Sequence, residues 1–159
     1  MSGTPTRRDA AGSVPPEPAA SLLLVALDRA GMVTAGRVLR AFLESHGLGP
    51  RSLHVAQMAF EELVSNSLKH GGDGGAPPPG GARIEARLGS DSLELVLTDR
   101  GRAFDPTHAG EPAPRADLAN APIGGLGLRL VRSMATELRY ARRSDENRTV
   151  VEIAIRRRV

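Results

Sequence analysis

The chain has 159 residues, one domain's worth on a prior of ~150 residues per domain and enough to bury roughly 70% of the surface its unfolded form exposes. Hydrophobic residues make up 40% and charged residues 25%, which excludes a wholly disordered or fibrous chain, and the absence of cysteine excludes a disulfide framework and a thiolate metal site. The net charge of +3 is uneven, with nine Arg against four acidic residues over 129–159. No apolar run nears the ~20 residues of a membrane span, and the Pro-bearing start lacks the apolar core of a signal peptide. The reading is therefore no membrane association and a cytoplasmic location. With no Trp, one Tyr and three Phe there is no base-stacking platform, so Arg156-Arg157-Arg158 reads as a solvated chain end and no direct nucleic-acid partner is expected. Lys69 is the single Lys among 21 cations, which hints at a task for a compact ammonium.

In chain order, residues 1–20 are rich in Pro, Ala, Gly, Ser and Thr and read as a disordered tail, with the folded domain over 21–159. Ser21 to Arg29 reads as a buried strand and Met32 to Ser45 as a helix broken by Gly47 to Pro50. Ser52 is the predicted N-cap of a second helix that runs to about His70 and closes at Gly71-Gly72. Residues 71–81 hold too much Gly and Pro for regular structure. Arg83 to Leu88 and Ser92 to Thr98 alternate as a hairpin about Gly89-Ser90-Asp91. A loop of ~17 residues follows from Pro106 to Pro122, a length usually kept for function. Gly127 to Thr136 reads as a helix, Glu137 to Arg143 as a strand and Arg148 to Arg156 as a closing strand. Hairpins with helices on one face predict an α+β two-layer sandwich on a mixed, mostly antiparallel sheet.

Three segments carry unusual chemistry. In Phe60 to His70, Glu62, Asn66 and His70 are spaced i, i+4, i+8 on one helix face, with Lys69 beside Asn66; the bland alternative is a polar helix face. In Leu97-Thr98-Asp99-Arg100-Gly101-Arg102-Ala103-Phe104-Asp105, a carboxylate ends an apolar strand, where it can accept from a ligand amine while Gly101 allows close approach; an ordinary Asp-opened turn is the alternative. In Ile123-Gly124-Gly125-Leu126-Gly127-Leu128, glycines feed a helix whose first N–H groups can seat phosphate.

Together, in this order, the segments resemble the N, G1 and G2 boxes of the GHKL ATPase superfamily: E-x-x-x-N on a helix, D-x-G-x-x-F-D after a strand and G-x-G-L before a helix. Within it the chain is most similar to the small anti-sigma-factor or switch-protein serine kinases of bacterial partner-switching systems. The resemblance implies the Bergerat, histidine-kinase-like ATPase fold, with an ATP lid at about 106–123. It implies ATP and Mg²⁺ as cofactors: Asn66 on the metal, Lys69 on phosphate, Asp99 on the adenine amino group with Gly101 beside the ring, and the backbone of Gly125, Leu126, Gly127 and Leu128 on phosphate. Thr149 stands where the family often has a Thr near adenine, and Glu62 would be the general base, with helix phase favouring it over Glu61. The implied activity is protein serine/threonine phosphorylation of a small antagonist (anti-anti-sigma) protein, together with sequestration of a sigma factor or similar regulator. A homodimer through the first strand and helix is also implied. Ala103 and Ile123 replace frequent family glycines, which keeps a second reading open, a catalytically weak nucleotide-binding switch that acts by protein binding alone.

Overall fold

The computed structural model describes residues 18–108 and 126–159. Most of the expected tail over 1–20, most of the expected lid over 106–123, and Ile123, Gly124 and Gly125 lie outside these residues. Five strands form one sheet in the order β1 (Ala20–Ala26), β2 (Ala82–Leu88), β3 (Ser92–Asp99), β5 (Glu146–Ala154), β4 (Glu137–Arg143). All four pairings are antiparallel, so nothing parallel enters the sheet where the sequence had allowed a mixed one. Helices α1 (Arg29–Ser45), α2 (Pro50–His70) and α3 (Leu126–Met134) pack on one face. No helix among the described residues is long and apolar enough to cross a membrane.

The helices begin where their caps dictate. Asp28, in an extended conformation, caps α1 by accepting from Gly31 N at 2.8 Å, three to four residues before the apolar pattern becomes visible at Met32. At α2, Gly49 is the N-cap and Pro50 supplies the first turn's φ. Ser52 is thus not the cap the sequence suggested. It is buried inside the helix, where its hydroxyl accepts from Arg156 N at 2.8 Å, a partner 104 residues away that no local pattern reveals. Residues 71–81 also contain one 3₁₀ turn, Asp73–Gly75, where the composition suggested only loop.

The helix-facing side of the sheet carries Ile84, Ala86 and Leu88 on β2, Leu93, Leu95 and Leu97 on β3, and Val151 and Ile153 on β5. Against them lie Leu39 and Leu43 of α1 and Phe60, Leu63 and Val64 of α2, all buried at helical spacing. The outer face is charged. Arg87 pairs with Glu85 at 2.7 Å and Glu94 at 3.2 Å, and Arg139 pairs with Glu94 at 3.5 Å and Glu137 at 3.3 Å. On edge strand β1, Leu23 and Val25 are half or more exposed.

The basic chain end is exposed, as expected, but its backbone is pinned. Beyond β5, Ile155 N donates to Asp91 O, Gly49 N to Arg156 O and Arg158 N to Gly47 O, at 2.7–2.9 Å. The Arg157 guanidinium donates to His46 O and Gly89 O. This segment ties the α1–α2 turn to the β2–β3 hairpin. Replacing Ser52 by Ala leaves the Arg156 amide without its acceptor, and urea unfolding should show a loss of about 1–2 kcal/mol.

On the outer face, the Arg87 hydrogen bond holds the Glu85 carboxyl below its ordinary range against the opposing effect of burial. A lowered carboxyl pKa stabilises the fold above the unfolded-state value and ceases to as pH falls through the folded one. The pair is partly exposed, so its worth is at most about 1 kcal/mol. Arg87→Met should remove that contribution at neutral pH and leave stability unchanged at the acid end of a pH series of melts.

Candidate functional site

The inward face of the sheet changes character at one end. Along β3 the sequence Leu93, Leu95, Leu97 ends in Asp99, and along β5 Ile153 and Val151 give way to Thr149 and Asn147. Register pairs Leu97 with Thr149 and Asp99 with Asn147, so four positions that look unrelated in sequence form one polar corner. The last turns of α2 bring Leu63, Asn66, Ser67 and His70 over this corner, and α3 adds Leu128. The cleft between them holds about 370 Å³ of empty space counted to its open mouth. The walls stand close, with room between them for little more than a water molecule.

Asp99 is 8% exposed, and a carboxylate so placed must find donors. Its Oδ2 accepts from Ser67 Oγ at 2.9 Å, and its Oδ1 accepts from Gly101 N at 2.8 Å and Asn147 Nδ2 at 2.9 Å. A carboxylate offers about four acceptor positions, so three internal donors leave one for a ligand. Thr149, buried and lining the same cleft, offers a hydroxyl beside it. An acceptor-only group next to a hydroxyl suits an exocyclic amine.

Gly101 is glycine for a reason beyond ligand access. A Cβ there would lie 2.5 Å from Gly71 Cα and from Gly71 O, and Arg102 N donates to that same carbonyl at 2.9 Å. The turn after β3 is thus packed backbone to backbone against the end of α2. His70 stacks on Phe104 with ring centroids 6.1 Å apart, and Arg102 pairs with Asp73. His70 is therefore a wall of the cleft mouth.

The remaining predicted residues separate by face. Asn66 lines the cleft and donates its amide nitrogen to Glu62 O at 2.7 Å, which leaves the amide oxygen as the end available to a cation. Glu62 reaches α3, where a Cβ on Gly127 would fall 2.0 to 2.4 Å from the Glu62 carboxyl group. Glu61 points elsewhere, into a broad groove with Arg40, His54 and Gln57 on the far side of α2. Leu128 is buried in the cleft wall and Leu126 is 68% exposed. Lys69 is exposed and does not line the cleft. Gly125 lies outside the described residues. No three His, Asp or Glu among the described residues come together as a metal cage.

Sequence reasoning missed Ser67, Asn147 and Arg142. The alternation Ile153, Val151, Thr149 extends by one step to Asn147, but starting the last strand at Arg148 cut that residue off. Ser67 carried a signal as well, since a buried hydroxyl one residue after Asn66 faces the sheet.

Residues 25–155 match the histidine kinase-like ATPase domain family. The serine/threonine-protein kinase BtrW of Bordetella bronchiseptica is 33% identical over 90 residues, a match that covers 57% of this chain and 62% of BtrW. Among solved structures, the RsbU and RsbW domains of Rv1364c from Mycobacterium tuberculosis superpose with a TM-score of 0.62 at 17% identity, over 88% of this chain and 33% of that one, which shows a shared fold.

The two glycines of the site should respond differently to a methyl group. Gly101→Ala meets the Gly71 backbone and should cost roughly 1–3 kcal/mol in thermal or urea unfolding. Gly127→Ala meets only the mobile end of Glu62, and alanine favours the helix by ~1 kcal/mol, so its melting temperature should hold or rise.

Proposed function

Because the chain belongs to the histidine kinase-like ATPase domain family, we propose that it binds ATP with Mg²⁺ in this cleft and phosphorylates a serine or threonine of a partner protein. The observation that carries the reading is the convergence of Asn66, Asp99, Leu128 and Thr149, from four distant segments, on one cleft. The name of BtrW, a serine/threonine-protein kinase, supports the choice of acceptor. The chain spans 62% of BtrW, so substrate and partners are part of the proposal.

The residues present fit the nucleotide and its metal. The remaining acceptor position on Asp99 and the Thr149 hydroxyl would take the adenine edge, with Gly101 beside the ring. The Asn66 amide oxygen is a hard donor suited to Mg²⁺, which keeps several waters and shares the phosphates. Backbone of Leu126, Gly127 and Leu128, in the first turn of α3, would face phosphate, as would that of Gly125 by its place in the motif, and Lys69 would swing in from the surface to the same group. Bound ATP supplies the phosphoryl group and Mg²⁺ offsets its charge.

Glu62 is the general base of this scheme. Its carboxyl group lies against Gly127, beside the backbone assigned to phosphate, so it can take the proton from an incoming Ser or Thr hydroxyl. As that oxygen bonds to the γ-phosphorus, the bond to ADP breaks and the proton rests on Glu62. The partner we assign is a small antagonist (anti-anti-sigma) protein, and the regulator held in its absence a sigma factor or similar protein. Exposed Leu23 and Val25 on edge strand β1 support pairing with a second copy.

Titration calorimetry of ATP should show binding that requires Mg²⁺ and weakens at least ~10-fold in Asp99→Asn, the loss of one charge-assisted hydrogen bond. Glu62→Ala should keep ATP binding while transfer of labelled γ-phosphate to protein or water falls by roughly 10²- to 10⁴-fold. No binding by the unmodified chain in either condition overturns the nucleotide reading, and undiminished transfer by Glu62→Ala moves the base elsewhere.

A further inference from the structure

Asn147 sits behind Asp99 with every hydrogen-bonding position of its amide engaged. It is 5% exposed, and its Nδ2 donates to Asp99 Oδ1 at 2.9 Å and to Arg102 O at 2.7 Å. Its Oδ1 accepts from the Tyr140 hydroxyl and from the Arg142 guanidinium, both at 2.7 Å. Arg142 donates in addition to Gly101 O at 2.9 Å. Only an amide satisfies such a place, with a donor end toward a carboxylate and a carbonyl and an acceptor end toward two donors. A carboxylate there would set two anions face to face, and an apolar residue would take one of three donors from Asp99 and remove the acceptor of the Tyr140 hydroxyl.

We propose that Asn147, held by Tyr140 and Arg142, is the positioning residue for adenine recognition. It fixes the rotation of the Asp99 carboxylate so that the one acceptor position left by Ser67, Gly101 and Asn147 is held toward the 6-amino group. It also clamps the backbone of the turn after β3 through Gly101 O and Arg102 O. Without it, Oδ1 keeps Gly101 N alone while Ser67 Oγ still holds Oδ2, so a second acceptor position opens on the carboxylate and the single preorganised one is lost. The inference rests on the ATP reading above and deepens it, since the selectivity for an amino purine belongs to a second residue as well as to the carboxylate that touches it.

The test compares ATP with purine riboside 5′-triphosphate, in which hydrogen replaces the 6-amino group, in the intact chain and in Asn147→Ala and Tyr140→Phe. The unmodified chain should prefer ATP by roughly 10- to 100-fold, the worth of a hydrogen bond to a charged group. In Asn147→Ala that preference should collapse to within about 3-fold, with the loss falling on ATP and the analogue's affinity kept. Tyr140→Phe removes one hydroxyl that orients the amide and should lower the preference partway, a milder change that decides the matter if Asn147→Ala does not fold. A purely structural role predicts something else, equal weakening of both nucleotides with the preference intact, and that result in both variants overturns the proposal while the ATP reading stands. An unmodified chain that binds the two nucleotides equally also overturns it. One that binds neither removes the ATP reading and this proposal together.

Discussion

A carboxylate buried to 8% exposure is the constraint around which this molecule is arranged. Asp99 has to be hydrogen-bonded where it sits, and its donors come from three places: Ser67 on α2, Gly101 in the turn it opens, and Asn147 on β5. Those three requirements bring the end of α2, the end of β3 and the start of β5 to one point. The Gly71 and Gly101 backbones then meet at a distance no side chain would allow, and Arg102 N closes the contact on Gly71 O. The polar corner is thereby a rigid junction of helix and sheet, and the apolar rows of β3 and β5 that run away from it are ordinary core.

Much of the scaffold was legible because it is written in local periodicity. The alternation of Ile84, Ala86 and Leu88 against charged neighbours gave the β2–β3 hairpin, and the break at Gly47 to Pro50 and the stop at Gly71-Gly72 bracketed α2. The three polar segments were visible as departures from that periodicity, and the fold brings Asn66, Asp99 and Leu128 to a common cleft. What escaped the sequence depends on register and long separation. Asn147 matters because it lies opposite Asp99 on the neighbouring strand, a relation across a sequence separation of 48 rather than one set by any motif. Ser52 looked like a cap because Ser is a good one, yet Gly49 and Pro50 had already begun the helix and its hydroxyl serves Arg156 instead. The run Arg156 to Arg158 is exposed, as its composition suggested, but composition did not reveal that Arg157 bridges two turns. Composition describes how a segment would behave by itself, and each of these residues is decided by a distant partner.

The two faces of the sheet have separate roles for the same reason. Outward, Arg87 and Arg139 compensate three glutamates in a network that faces solvent and can be altered piecemeal. Inward, the polar groups at the corner are linked in one network, so removing Asn147 takes a hydrogen bond from Asp99, Tyr140 and Arg142 at once. A substitution of similar size and polarity therefore has different consequences on the two sides.

The seam between β3 and β5 carries a thermodynamic consequence of its own. Each of the two hairpins, β2–β3 and β4–β5, closes through short local turns, and β3–β5 is the strand pairing that joins them. Asp99 and Leu97 lie on one side of that seam, Asn147 and Thr149 on the other. A molecule that engages Asp99 and Thr149 at once is a tie across the joint, with no affinity for the hairpins apart. Mass action then lends the sheet RT ln(1 + [L]/Kd), about 2.7 kcal/mol at a hundredfold excess over Kd. That is a sizeable part of the ~5–15 kcal/mol that holds a typical domain together. The lifetime of the folded chain would in this way track the supply of whatever fills the cleft.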